Sequence, residues 1–150
     1  MRIRDARGGD AGAIDALERQ CFADPWPEEA VAAYINGGNC LMLCAEGEGG
    51  ELLGYVGMQH VLDEGYIGNV CTAPQHRRRG VARALLAELE SRSRRLGLAF
   101  LTLEARASNA AAIALYEGAG YERVGTRPGY YQHPAEDAVI MTLFLKEGRT

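Results

Sequence analysis

Three groups of residues in this 150-residue chain have types and spacing that could do chemistry. The first is Arg77-Arg78-Arg79-Gly80-Val81-Ala82-Arg83, which contains the pattern Arg77-x-x-Gly80-x-Ala82. It follows residues 66–72, a β-branched and aromatic run that reads as a strand stopped by Pro74, because proline cannot donate to a ladder. It precedes Val81, Leu85, Leu86 and Leu89, which recur with the spacing of one helical face. A helix start leaves backbone N–H groups without intrahelical partners at the electropositive end of the dipole. Gly80 and Ala82 leave the approach to those donors open, and the arginines add charge, so the segment suits an anion the size of a diphosphate. A solvated basic turn before an ordinary helix would have the same composition. The three-glycine dinucleotide fingerprint and the Gly-Lys-Ser/Thr of a phosphate-binding P-loop are both absent.

The other two groups are single side chains. Glu104 ends an otherwise apolar strand, residues 99–104; its carboxylate is a general base if that end enters a cleft and a solvated acid if it does not. Tyr116 sits on the helix that Ser108-Asn109 caps, along the side continuing Ala112 and Ile113. A helical tyrosine in that place is ordinarily core with its hydroxyl at the rim.

The elements that must position these groups follow from the pattern. Residues 2–6 form a short charged strand. Asp10 is expected to cap a helix carrying Ile14, Leu17 and Cys21 on one side. The turn Cys21-Phe22-Ala23-Asp24-Pro25-Trp26-Pro27 leads into a second helix with Glu28 and Glu29 at its start, ending at Asn36-Gly37-Gly38. Residues 40–46 and 51–62 make a hairpin through Gly47-Glu48-Gly49-Gly50, with Gly54 and Gly57 marking a bulge or a close backbone neighbour in the second strand. The central helix ends near Gly97, and the helix holding Tyr116 stops at Gly118 or Gly120. Residues 121–126 and 138–145 are closing strands separated by a loop holding Arg127-Pro128-Gly129-Tyr130-Tyr131. The order βααβββαβαββ mixes hairpins with crossovers, so the class is α/β (α+β) with a mixed sheet, in one domain over residues 1–150.

The totals bound the rest. A hydrophobic content of 47% and a charged content of 24% are those of a globular protein with a core. No apolar run approaches the roughly 20 residues of a membrane span, and no signal peptide opens the chain. A formal net charge of −4 argues against general nucleic-acid binding despite the local arginines. Cys21, Cys40, Cys44 and Cys71 have no metal-site spacing and are expected as free thiols in a reducing compartment.

The segment Arg/Gln-x-x-Gly-x-Gly/Ala between strand and helix resembles the acetyl-CoA pyrophosphate loop of the GNAT N-acetyltransferases. Leu103-Glu104-Ala105-Arg106-Ala107-Ser108-Asn109-Ala110-Ala111-Ala112-Ile113-Ala114-Leu115-Tyr116-Glu117 is similar to the RimI branch of that family. The likeness extends to the Pro25-Trp26 turn, Leu62-Asp63-Glu64, Tyr130-Tyr131, and Glu136-Asp137-Ala138 with Met141. The resemblance implies the GNAT fold, its sheet splayed between the fourth and fifth strands. It implies acetyl-CoA as cosubstrate, no metal, and direct transfer to the N-terminal amine of a small-subunit ribosomal protein, alanine in that branch. Position by position, it assigns Glu104 to accept the amine proton and Tyr116 to protonate the leaving thiolate. Val70, Cys71 and Thr72 would pair with the pantetheine arm, Asn109 would hold it, and Arg78, Arg79, Gly80, Val81, Ala82 and Arg83 would wrap the pyrophosphate. Trp26, Tyr130 and Tyr131 would meet the peptide. A cytoplasmic enzyme is implied, monomeric or weakly dimeric, without direct nucleic-acid or membrane partners. Cys71 is not expected to form an acyl-enzyme.

Two residues depart from the branch. Pro27 replaces a serine that would cap the second helix, and Gly68 stands where a large apolar residue is expected, which predicts looser packing there. Other readings are a GNAT enzyme acetylating lysine side chains or a small amine through an acidic bowl of Glu28, Glu29, Asp63 and Glu64, and a non-catalytic acetyl-CoA sensor, against which Glu104 and Tyr116 together count.

Overall fold

The computed structural model describes residues 1–22, 25–77 and 80–146. In chain order these form β1 (Arg2–Asp5), α1 (Ala11–Cys21), α2 (Glu28–Asn36), β2 (Cys40–Glu46), β3 (Leu52–Val61), β4 (Glu64–Thr72), α3 (Val81–Arg95), β5 (Phe100–Arg106), α4 (Ala110–Gly118), β6 (Glu122–Tyr131) and β7 (Glu136–Phe144). Short 3-10 turns at Gly8–Asp10 and Pro74–His76 precede α1 and α3. The expected element order and the mixed α/β class hold.

The strands make one sheet in the order β1-β2-β3-β4-β5-β7-β6. Only β4 and β5 run parallel, as the crossover through α3 requires. Successive β2 side chains point to opposite faces. Met42 and Cys44 pack under α1 and α2 with Ile14, Leu17, Val31, Tyr55 and Cys71. Leu43 and Ala45 join the larger core beneath α3 and α4, with Leu85, Leu89, Leu101, Ile113 and Tyr116. None of the described helices is long and apolar enough to cross a membrane.

The sheet splits where the site will be. β4 pairs with β5 only at Glu64↔Phe100, Gly65↔Leu101 and Tyr66↔Thr102, then the strands part. β4 stays paired with β3 to Thr72, while β5 stays paired with β7 from Phe100 to Arg106. The β3–β4 register passes from Met58↔Ile67 to Gly57↔Asn69, so Gly68 is an extra residue on β4. A bulge bends the strand that carries it. The sequence reading placed that irregularity on the partner strand, at Gly54 or Gly57. Gly54 instead satisfies the close-neighbour alternative: a Cβ there would lie 2.5 Å from the Cys71 carbonyl oxygen.

Two further local expectations change. Asp10 does not cap α1; its carboxylate takes two bonds from Arg4, at 2.8 and 2.9 Å, and one from the Arg7 backbone N–H at 2.7 Å. An arginine within reach outcompetes the neutral N–H groups of a helix start. Residues 127–131 are not a free loop but the far end of β6, with the register broken between Arg127 and Tyr131. The break leaves Pro128 without a donor to supply, and β6 is an edge strand, where proline is tolerated. Pro27, as expected, gives α2 no side-chain cap; its carbonyl accepts from Ala30 and Val31 at 3.0 and 3.2 Å.

Candidate active site

The parting of β4 and β5 opens a cavity of about 850 Å³. Its walls come from the β4 bulge (Ile67 to Val70), the end of β5 (Leu103 to Arg106), α4, the turn after α1, and the β6–β7 hairpin. Glu104, Tyr116, Asn109, Val70, Trp26, Tyr130 and Tyr131 all line it, so residues up to 105 positions apart in sequence meet there. Glu104 is its only lining acid among the described residues; Glu28, Glu29, Asp63 and Glu64 are not part of the wall. The acidic bowl expected for a small polyamine is therefore not what this cavity presents.

Glu104 is three-quarters buried on its side chain, and Arg127 Nε holds its Oε1 at 3.2 Å from the edge strand. Arg127 reaches it across β7, since Glu104 pairs with Ile140 and Arg127 with Ala138. Tyr116 is 8% exposed, and burial, with Tyr131 and Cys71 nearby, pushes its phenol up to about 12. It is a permanent O–H donor at neutral pH. Asn109 caps α4, its Oδ1 accepting from Ala112 N–H at 3.1 Å, which leaves its amide N–H₂ as the donor for a ligand. Burial and the Cys21 thiol beside it raise Cys71 far above an ordinary thiol. A nucleophilic thiolate is disfavoured there.

Of the residues expected to hold the cofactor, Val70 and Asn109 line this cavity, and the other described ones continue from it through Cys71 and Thr72 at the end of β4 to the start of α3. Cys71 and Val81 put their side chains into the core, so only their backbone can meet a ligand. Gly80 caps α3 in the left-handed region, φ +76°, and among the described residues no atom beyond its own helix and chain neighbours lies within 4 Å of where its Cβ would stand. Arg83 and Gly80 are exposed, and Ala82 half-buried. Arg78 and Arg79 lie outside the described residues, as do Ala23 and Asp24 of the turn before Trp26.

Several site residues were not foreseen. Arg106 donates to the carbonyls of Pro134 (2.9 Å) and Gln132 (3.0 Å) and to Glu136 (3.2 Å), and its guanidinium lies 4.4 Å from the Tyr131 ring centroid. It holds the β6–β7 turn, and with it the Tyr130–Tyr131 pair, whose rings meet edge-on at 5.0 Å. Such long-range contacts leave no mark on local spacing. Glu18 did leave one: it stands four residues after Ile14, on the apolar side of α1. It is fully buried, accepting from Trp26 N–H at 2.9 Å and from Asn69 Nδ2 at 2.8 Å. Gly68 does not loosen the packing as expected. A Cβ there would stand 2.9 Å from Cη2 of Trp26, so the indole occupies the missing side chain's place.

Comparison with known proteins identifies the family. The sequence profile of the Acetyltransferase (GNAT) family matches residues 12–121. The [ribosomal protein bS18]-alanine N-acetyltransferase of Escherichia coli K12 is 38% identical over 136 residues, covering 89% of this chain and 90% of that protein. The N-alpha-acetyltransferase RimI of Mycobacterium tuberculosis is 35% identical over 138 residues, covering 88% and 85%. The crystal structure of the Escherichia coli ribosomal-protein-S18-alanine N-acetyltransferase superposes with a TM-score of 0.89 at 36% identity, covering 97% of this chain and 94% of that one. With its split sheet, its cavity and these relatives, the chain belongs to the GNAT family of acetyltransferases, in the RimI-like branch.

Proposed function

We propose that this enzyme transfers acetyl from acetyl-CoA to the N-terminal α-amine of a protein, with the alanine of a bS18-like ribosomal protein as its acceptor. The observation that carries the reading is the meeting of Glu104, Tyr116 and the aromatic pair Tyr130–Tyr131 in one cavity beside the unpaired edge of β4. The residues fit acetyl-CoA. The free β4 edge can take the pantetheine arm as an added half-strand, Asn109 offers its amide, and the open start of α3 faces outward for a pyrophosphate. Bound there, the cosubstrate supplies an activated acetyl thioester.

The division of labour follows from proton chemistry. Arg127 engages Oε1 of Glu104, so Oε2 is the atom to take the amine proton, directly or through a water. As the nitrogen attacks the thioester carbon, the carbon–sulfur bond breaks and the Tyr116 O–H protonates the departing thiolate, preventing the reverse attack. The attack is direct, because Cys71 is held as a thiol in the core. One carboxylate suffices for an α-amine of pKa about 7.7–8.0, of which roughly a tenth is already neutral at pH 7. A lysine at about 10.4 is neutral to well under 0.1%. A ribosomal-protein acceptor also implies a cytoplasmic site of action.

The test compares an alanine-initiated peptide with the same peptide blocked at its N-terminus and carrying an internal lysine. The free terminus should be acetylated at least about a hundredfold faster, by the neutral fractions alone. Equal rates would refute N-terminal specificity. With Glu104→Gln the rate at neutral pH should fall, and the deficit should shrink toward pH 9 as the α-amine deprotonates unaided. A deficit constant across pH would reassign Glu104 from base to substrate positioning.

A further inference from the structure

Glu18 has no part in the proton transfers above, yet it is the one carboxylate among the described residues with no exposed surface. A carboxylate in an apolar interior is costly unless each oxygen is hydrogen-bonded. Here each oxygen has one donor, and the donors come from different elements: Trp26 N–H from the turn before α2, Asn69 Nδ2 from the β4 bulge. Both Trp26 and Asn69 line the acceptor cavity, and Gly68 lies between them in the wall.

The indole of Trp26 is located from three sides. Glu18 holds its backbone. Gly68 leaves room, since a Cβ would come within 2.9 and 3.1 Å of two indole carbons. Tyr34 covers it, with ring centroids 5.2 Å apart at 36°. We propose that Glu18 is a positioning residue of the acceptor site, tying the Trp26 turn to the β4 bulge so that the indole seats over Gly68 and forms the wall that meets the acceptor's first residues. This rests on the acceptor entering the cavity as proposed above. A purely structural role, pinning α1 to the sheet, would leave the indole and the acceptor affinity unmoved once the protein is folded.

Trp26 is the chain's single tryptophan, so its fluorescence reports the seat without any substrate. Glu18→Ala strands the Trp26 N–H and the Asn69 amide, a loss of the size that changes binding about tenfold. The emission should shift to the red with roughly doubled acrylamide quenching. KM for the acceptor should rise about tenfold, while KM for acetyl-CoA stays within about twofold. Unchanged emission, or both KM values rising together, would overturn the proposal. Asn69→Asp sets two carboxylates face to face and should produce the same red shift and acceptor KM. Adding Glu18→Gln should reverse both, because the glutamine amide donates to the new carboxylate while its oxygen still accepts from Trp26 N–H. A pair that fails to recover would also overturn it, and this pair decides if Glu18→Ala does not fold. Fluorescence is read without acceptor, and KM with whichever amine the enzyme uses. A wild type inactive on alanine peptides therefore counts against the proposed substrate, while the Trp26 signal still decides on Glu18.

Discussion

Tyr116 illustrates how burial sets chemistry at a single residue. Its ring packs against Tyr121 at a centroid distance of 5.9 Å, as any core tyrosine might. The same burial that makes it a core residue raises its phenol to about 12, so it keeps its proton throughout the neutral range. Tyr116→Phe keeps the packing and removes only the proton. kcat should fall by about 10²–10⁴-fold, the usual contribution of a positioned general acid, with acetyl-CoA affinity by calorimetry nearly unchanged. A loss of only two- or threefold would leave Tyr116 as packing alone. Residue types were legible in the sequence here, but the raised phenol was not, because burial is a property of what lies around the ring.

At the scale of elements, the start of α3 combines two requirements on Gly80. Its φ of +76° disfavours any L side chain, and the space beside it, open among the described residues, leaves the helix N–H groups approachable. Gly80→Ala tests the first requirement alone, and Gly80→Glu adds a carboxylate where the pyrophosphate is expected. Acetyl-CoA affinity, measured by calorimetry, should fall at least about tenfold for glutamate and distinctly less for alanine. Equal losses for the two would make backbone strain the whole effect and remove the anion assignment. The β4 bulge is the companion device: one extra residue, Gly68, turns β4 away from β5 and makes the seat for Trp26. The sequence offered a bulge or a close neighbour at Gly54 and Gly57 of β3, whereas the extra residue is Gly68 of β4. Which strand carried it depended on the cross-strand register, which composition does not specify.

For the whole molecule, charge pairing ties the N-terminal strand to the body. Arg4 and Asp10, 12% and 18% exposed on their side chains, join β1 to the turn before α1, and Glu46 adds a contact to Arg4 Nε at 3.5 Å. The Arg4 hydrogen bonds hold the Asp10 carboxyl below its ordinary 3.8. A carboxyl lowered on folding adds stability that is fully present above the unfolded value and lost as pH falls through the folded one. Asp10→Asn should thus be less stable than wild type by about 1–3 kcal/mol in urea melts at pH 7, and the gap should start to narrow near pH 3.8 and shrink progressively as pH falls further. A gap constant down to pH 2 would show that the ion pair does not carry the effect.

The sequence by itself determined the element order, the mixed sheet, the glycine turn between β4 and α3, and the segment that carries Glu104, Asn109 and Tyr116. Each of these rests on local periodicity, on proline and glycine chemistry, or on contiguous residues that resemble the family. Tertiary structure decided what those signals cannot contain. It brought Arg127 onto Glu104, Arg106 under Tyr131, and Glu18 between Trp26 and Asn69. It also turned Asp10 from a helix cap to Arg4, and Gly68 from an apparent packing defect into the space for an indole. The physical reason is common to all of them. A hydrogen bond or a filled volume between residues 8 to 51 positions apart, as for Glu18 with Trp26 and Asn69, depends on the register and twist that bring two strands or a helix together. The periodicity along either partner shows which face is buried, not what it will meet.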